Sequence, residues 1–283
     1  MRIGIRAHDF GRLAPNDLAR EVKKTGFSCV QLAPTKAITG VNSFYDIQDF
    51  VKDIETAFKL EDIKIEVLGC YIEPAIADAE KRKENVNIFC QNLKIAKELN
   101  IPIVGTETTA LAENAEDPKS PTETEKGAAY LSLLESVCAM LEIAEQVGVD
   151  VGIEPVAGHT LFDAQTARRL LDEVNSKRLK IIFDPVNMLT SSNIRGQRAV
   201  FKNFFDLLGE DIAVLHVKDV ELHNNQKQWR EIGRGVVNYD FIFSRLRALG
   251  KSNIPLLREG ATRESMNGDI YAIKEYWSAA NNP

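Results

Sequence analysis

One pattern repeats along almost the whole chain and constrains it most. A short apolar, β-branched run is followed by a longer stretch with helical spacing, and then the pair recurs. "RIGIR" at 2–6 precedes "PNDLAREVKKTG", which has Pro15 near a helix start and Gly26 just past its end. Seven further runs read as strands: "SCVQLAP" at 28–34, "IKIEVLGCY" at 63–71, "IPIVGTET" at 101–108, "VDVGIEP" at 149–155, "LKIIFDP" at 179–185, "IAVLHVKD" at 212–219 and "IPLLREG" at 254–260. Helical patterns fall between them, over about 43–60, 78–99, 162–174, 198–209 and 239–250, and "GDIYAIKEYWSAA" closes the series. Thr122 and Glu125 form a capping-box signature before a long helix that stops near Gly148.

Eight such units predict a closed parallel α/β barrel, a (β/α)8 fold, because crossover helices bury both faces of a parallel sheet. The alternative is an open doubly wound sheet, which fits poorly with eight units and no Gly-rich nucleotide fingerprint. No linker divides the chain, so residues 1–283 are expected to form a single domain.

The net charge of -6 argues against a protein that tracks nucleic-acid phosphates. No apolar run approaches the ~18 residues of a membrane span, and the N-terminus enters a strand without a signal-like segment. Cys29, Cys70, Cys90 and Cys138 are widely spaced in apolar segments. They read as reduced core thiols of a cytoplasmic protein.

The ends of the last four runs carry the chemistry. An apolar strand terminates in Glu154, the next in Asp184, the next in His216 and the last in Glu259. A single carboxylate there commonly caps a helix or joins an ion pair. Three carboxylates and an imidazole on consecutive strands converge on one half of the C-terminal barrel mouth, where barrel enzymes build their sites. Three packed carboxylates repel one another without a cation. The set therefore predicts a divalent metal that takes oxygen and nitrogen ligands, Mn²⁺ best, with Mg²⁺, Co²⁺ or Zn²⁺ as alternatives.

Lys218, beside a predicted ligand, either orients a substrate hydroxyl or pairs with Asp219 or another carboxylate. Glu107, His8 and His159 follow strands at the mouth and are candidate substrate contacts, as is Asn187. Arg258 should point away from the barrel axis into an ion pair under the helices. The segment 108–121 and the loop 219–235 exceed ordinary loop length and are expected to rim the pocket. In the second loop, Trp229 and Arg230 would close over a ring-shaped ligand or cover a subunit contact of a homo-oligomer.

Together "GIEP", "FDPVN", "LHVKD", "IGRGVVNYDFIF" and "LLREG" resemble the sugar-phosphate isomerase/epimerase superfamily, the xylose isomerase-like TIM barrels. The resemblance covers nearly the whole chain in βα order. It implies a metal held by Glu154, Asp184, His216 and Glu259, with a sugar, ketose or cyclitol as small-molecule substrate. It also implies that Glu154 and Glu259 act as acid and base in isomerisation or epimerisation through a metal-stabilised enediolate. Dehydration of an inosose-type substrate, or sugar binding without turnover, are the alternatives on the same site. The chain departs from the ketose epimerases at Asn187, where they carry His, at Leu222 in place of Arg, and at Thr160 in place of a second Glu. Its "HVKD" resembles inosose dehydratases and isomerases. Tyr71, Glu73 and Glu107 stand where the apurinic endonucleases of this fold carry extra metal-binding histidines.

Overall fold

The computed structural model describes residues 1–111 and 121–280. The elements run β1 (Arg2–Arg6), α1 (Pro15–Thr25), β2 (Cys29–Leu32), α2 (Pro34–Ala37), α3 (Ile47–Leu60), β3 (Lys64–Gly69), α4 (Ala79–Glu98), β4 (Ile103–Glu107) and α5 (Glu123–Val147). They continue with β5 (Asp150–Glu154), α6 (Ala164–Val174), β6 (Leu179–Phe183), α7 (Gln197–Leu208), β7 (Ile212–Val217), β8 (Asp219–His223), β9 (Gln226–Arg230), α8 (Tyr239–Ala248), β10 (Pro255–Arg258) and α9 (Met266–Ala279). Eight strands close into a parallel barrel in the order β1-β10-β7-β6-β5-β4-β3-β2, as the alternation predicts.

The helix boundaries follow the local chemistry. Pro15 opens α1, and Gly26 closes it at φ 86, a left-handed position where a side chain would be strained. Thr122 accepts from the Glu125 backbone while the Glu125 side chain returns to the Thr122 N–H, the reciprocal cap that starts α5. By length and composition α5 is long and apolar enough to cross a membrane, contrary to the expectation that nothing in the chain approached that length. It packs as an outer helix of the barrel, with Leu133, Val137, Met140 and Ala144 buried.

Two apolar zones result. One lies between the strands and the helices. The other is a small plug of Cys29, Val67, Ile103, Ile182, Val214 and Leu257, each on a different barrel strand. Gly4, Gly105 and Gly152 face this plug; a Cβ on Gly152 would lie 2.8 Å from Ile103 and 3.0 Å from Ile182. Strand geometry sends residues i and i+2 to the same face. Two beyond Cys29, Ile182, Val214 and Leu257 come Gln31, Asp184, His216 and Glu259, and two beyond the glycines come Arg6, Glu107 and Glu154. The plug is the floor of whatever sits at the mouth.

Two expectations are corrected. The stretch after β7 is not a plain loop: β8 and β9 pair antiparallel as a hairpin. The cysteines are all free, but only Cys29 and Cys70 are buried; Cys90 is half-buried and Cys138 exposed, because α4 and α5 turn those faces outward.

Candidate active site

Glu154, Asp184 and His216 each offer a ligand atom, all within 4.8 Å of one another, and all three residues are buried. The centre of the group is His216 Nδ1, 3.3 Å from Glu154 Oε2, 3.7 Å from Asp184 Oδ2 and 3.3 Å from Glu259 Oε2. The other ring nitrogen, Nε2, lies 2.8 Å from Gln31 Oε1. The Gln31 amide donates to the Tyr71 hydroxyl, which leaves Oε1 as a pure acceptor. Nε2 therefore carries a proton, and Nδ1 faces three carboxylates, so that a second proton or a bound cation must stand between them.

That arrangement calls for a cation. Among the described residues His216 Nδ1 is buried with no directed hydrogen bond, and Asp184 Oδ2 meets the Lys218 ammonium. Burial disfavours the imidazolium, yet Glu154, Asp184 and Glu259 outweigh it and raise the His216 pKa to about 10. Glu154, Asp184 and Glu259 face this imidazole together, and in the metal-free protein its proton joins Lys218 and Arg6 in balancing their charge. A divalent ion would take the place of that proton and bring one more positive charge, and mixed carboxylate and imidazole donors suit it.

Lys218 is as buried as the ligands. Its Nζ is 2.6 Å from Asp184 Oδ2, 3.1 Å from Glu259 Oε1 and 2.9 Å from Asn187 Oδ1. Burial opposes its charge, but Asp184, Glu259 and Glu154 raise its pKa. Burial would likewise raise Glu259, yet Lys218, His216 and Arg6 hold its carboxyl below the usual range. Asp219 is not the partner of Lys218. Its carboxylate turns away and accepts from the backbone N–H groups of Val220, Gly233, Gly235 and Val237. A Cβ on Gly235 would fall 2.1 Å from Asp219 Oδ1, so the second glycine of "GRG" is there for space.

The remaining candidates sort by distance from this centre. Asn187 belongs to it: its Nδ2 donates to Glu154 Oε1 at 2.5 Å while its Oδ1 accepts from Lys218. Glu107 stands beside Glu154 in register, and burial with the Glu154 charge raises its pKa. His159 Nδ1 is 4.0 Å from Glu107 Oε2, on the rim. His8 follows β1, and burial together with Arg6 and Lys36 lowers it to about 3, so it is a neutral imidazole there. Thr160 is buried and donates to the Thr109 carbonyl. Of the segment 108–121, residues 112–120 lie outside the described residues; Leu111 bonds to the Gly158 carbonyl at the rim. Arg258 meets Asp269 at 2.8 Å beneath the helices, as alternation predicts.

Two participants escape the sequence reading. Arg6 Nη1 reaches Glu259 Oε1 at 2.9 Å while also pairing with Asp9. Gln31 fixes the imidazole. The signal for Gln31 is one polar residue inside the buried strand "CVQL".

A closed (β/α)8 barrel with a carboxylate–imidazole cluster at the C-terminal ends of its strands defines the class. More specifically, the model of the xylose isomerase-like TIM barrel family matches residues 19–274, and the chain belongs to that family. No curated protein matches the sequence. Among solved structures the chain is similar to a D-tagatose 3-epimerase-like protein, with 16% identity, TM-score 0.79, and 99% of this chain and 98% of that one covered. It is also similar to 3-keto-D-glucoside 4-epimerase from E. coli, with 18% identity, TM-score 0.73 and 100% of both chains covered. A third is the IOLI protein with a zinc atom, with 18% identity, TM-score 0.70, and 99% and 98% covered.

Proposed function

We propose that the chain is a metal-dependent sugar isomerase or epimerase that moves a proton on a carbon next to a carbonyl. One observation carries the reading. Glu154 and Glu259 flank the same imidazole nitrogen, each with Oε2 3.3 Å from it, and each has its other oxygen tied elsewhere. Asn187 holds Glu154 Oε1, while Arg6 and Lys218 hold Glu259 Oε1. Two carboxylates oriented this way, on strands separated by β6 and β7, can address a small molecule from two sides.

Glu154, Asp184 and His216, with Glu259 as fourth, would hold the ion, and their mixed donors suit Mn²⁺. A divalent ion there would polarise a carbonyl and acidify the neighbouring C–H. One glutamate takes that proton, and the other returns a proton to the opposite face, which inverts the carbon. Return to the adjacent carbon gives aldose–ketose isomerisation. Asn187 offers an amide N–H to a substrate hydroxyl, Lys218 holds Asp184, Glu259 and Asn187 in place beneath it, and Glu107, His159 and His8 are further candidate contacts. The related structures named as sugar epimerases support a sugar or cyclitol as the partner.

The test is a screen of ketoses, keto-cyclitols and sugar phosphates for solvent-hydrogen exchange with Mn²⁺ present. Glu154→Gln and Glu259→Gln keep volume and a ligand oxygen but remove the base. Each should lower turnover by ~10²-fold or more while metal binding falls less. Loss of a β-hydroxyl instead of inversion would identify a dehydratase. No exchange from any carbonyl substrate would leave a sugar-binding relative.

A further inference from the structure

The hairpin of β8 and β9 lies over the mouth and carries an aromatic side chain that the proton-transfer chemistry does not use. Asn224 and Asn225 make its tip with φ of 50 and 61, the two left-handed positions of a tight hairpin turn. Three ties hold it in place. Asp219 gathers backbone N–H groups at its base. Lys227 Nζ donates to the Leu189 carbonyl at 2.7 Å and the Val186 carbonyl at 3.3 Å, docking the hairpin on the stretch after β6. Arg230 pairs with Glu221 across the strands.

Trp229 is thereby fixed beside the site. Its ring centroid is 5.1 Å from Lys218 Nζ, and its ring edge is 3.8 Å from where a Cβ on Gly260 would stand. Yet the residue is 55% exposed. An indole left more than half exposed beside a buried ammonium, itself set among Asp184, Glu259 and Asn187, pairs an apolar plane with a cluster of polar groups. A six-membered polyol ring has the complementary surface. Its C–H groups form a flat apolar face, and its hydroxyls project at the edge. An open-chain polyol has the same hydroxyls but holds no such face.

Resting on the sugar-site reading above, we infer that Trp229 is a specificity-determining platform that selects a cyclic polyol, a keto-pyranose or keto-cyclitol, over an open-chain ketose. The ring lies on the exposed part of the indole, with hydroxyls at its edge toward Asn187 and Glu259, the half-buried groups that pair with Lys218. The 5.1 Å between indole and ammonium is too small for a ring to pass between them, so the ligand lies beside the ammonium and not beneath it.

The chain has two tryptophans, and the other, Trp277, is packed against Phe243 and Arg247. Emission from the full chain with Mn²⁺ present is therefore a direct readout. The probes are myo-inositol and methyl β-D-glucopyranoside, with D-sorbitol as an open-chain counterpart that carries the same number of hydroxyls as myo-inositol. The rings should give a saturable blue shift or quench, sorbitol a much weaker one, and Trp229→Phe should abolish most of the signal. By calorimetry, Trp229→Ala should weaken ring binding about tenfold, the weight of one good aromatic contact, with Mn²⁺ affinity unchanged. Trp229→Phe should recover part of that affinity. Sorbitol binding as tightly as the rings, unchanged ring affinity in Trp229→Ala, or no saturable response to either ring would overturn the inference. Solvent exchange on an open-chain ketose, with no ring preference, would sink it while leaving the proton-transfer reading intact. Ring binding without exchange on any substrate would do the reverse.

Discussion

Lys218 Nζ stands 2.6 Å from Asp184 Oδ2, and both side chains are closed off from water. Neither charge is tolerable there alone. Lys218→Met should leave Asp184 and Glu259 without their ammonium and destabilise the metal-free protein by about 3–5 kcal/mol, the usual result of breaking a buried pair. Urea unfolding measures it. A loss below about 1 kcal/mol would mean that water or a proton replaces the lysine without difficulty.

Removing the imidazole acts on the ion rather than the fold. Wild-type protein dialysed against Mn²⁺ should retain one ion per chain, and His216→Ala should bind it far more weakly. The ion should also raise the melting temperature of the wild type, since a ligand bound only by the folded state stabilises it. Metal analysis and calorimetry read the two effects separately. A melting temperature indifferent to Mn²⁺, Zn²⁺ and Mg²⁺ would contradict the centre.

Gln31 acts on the ion without touching it. Gln31→Leu removes the acceptor for His216 Nε2 and frees the ring to turn or change tautomer. Metal affinity should fall about 10–100-fold, the usual weight of such an orienting contact. Gln31→Glu restores an acceptor and should recover most of it. Equal affinity in all three proteins would show that the ring is held by packing alone.

The base of the hairpin depends on one carboxylate. Asp219→Asn loses two acceptor positions among four backbone N–H groups and should cost about 1–3 kcal/mol. Gly235→Ala should cost at least as much, because its Cβ meets Asp219 Oδ1 at 2.1 Å. Amide hydrogen exchange should accelerate across 219–237 in both variants and stay unchanged in β4 and β5. Uniform acceleration would place the effect in global stability instead.

The barrel and the four strand-end residues were legible because each signal is local. An apolar run that stops at Asp or His marks both a strand and its open end. For Lys218 the sequence leaves open a substrate contact or a pairing with Asp219 or another carboxylate, and the partners are Asp184 and Glu259. Strand alternation argues against Asp219: neighbours in sequence face opposite ways, and Lys218 follows His216 inward. Arg6 was silent because its partner Glu259 lies 253 residues away. The hairpin hid because "QKQWR" is polar and mostly exposed, so it lacks the apolar alternation that betrays a half-buried strand. Only the paired asparagines at its tip marked the turn. Cys138 misled for the opposite reason, since an apolar neighbourhood in sequence does not say which side of a helix a residue occupies.

The plug of Cys29, Val67, Ile103, Ile182, Val214 and Leu257 has a kinetic consequence. It seals the barrel below the carboxylates, so the site is a blind alley with one doorway. Whatever enters must leave by the route it came, and a departing molecule blocks the next arrival. Near-identical reactant and product, as in an inversion at one carbon, would then compete for the same threshold. Progress curves should bend early from inhibition by the accumulating product.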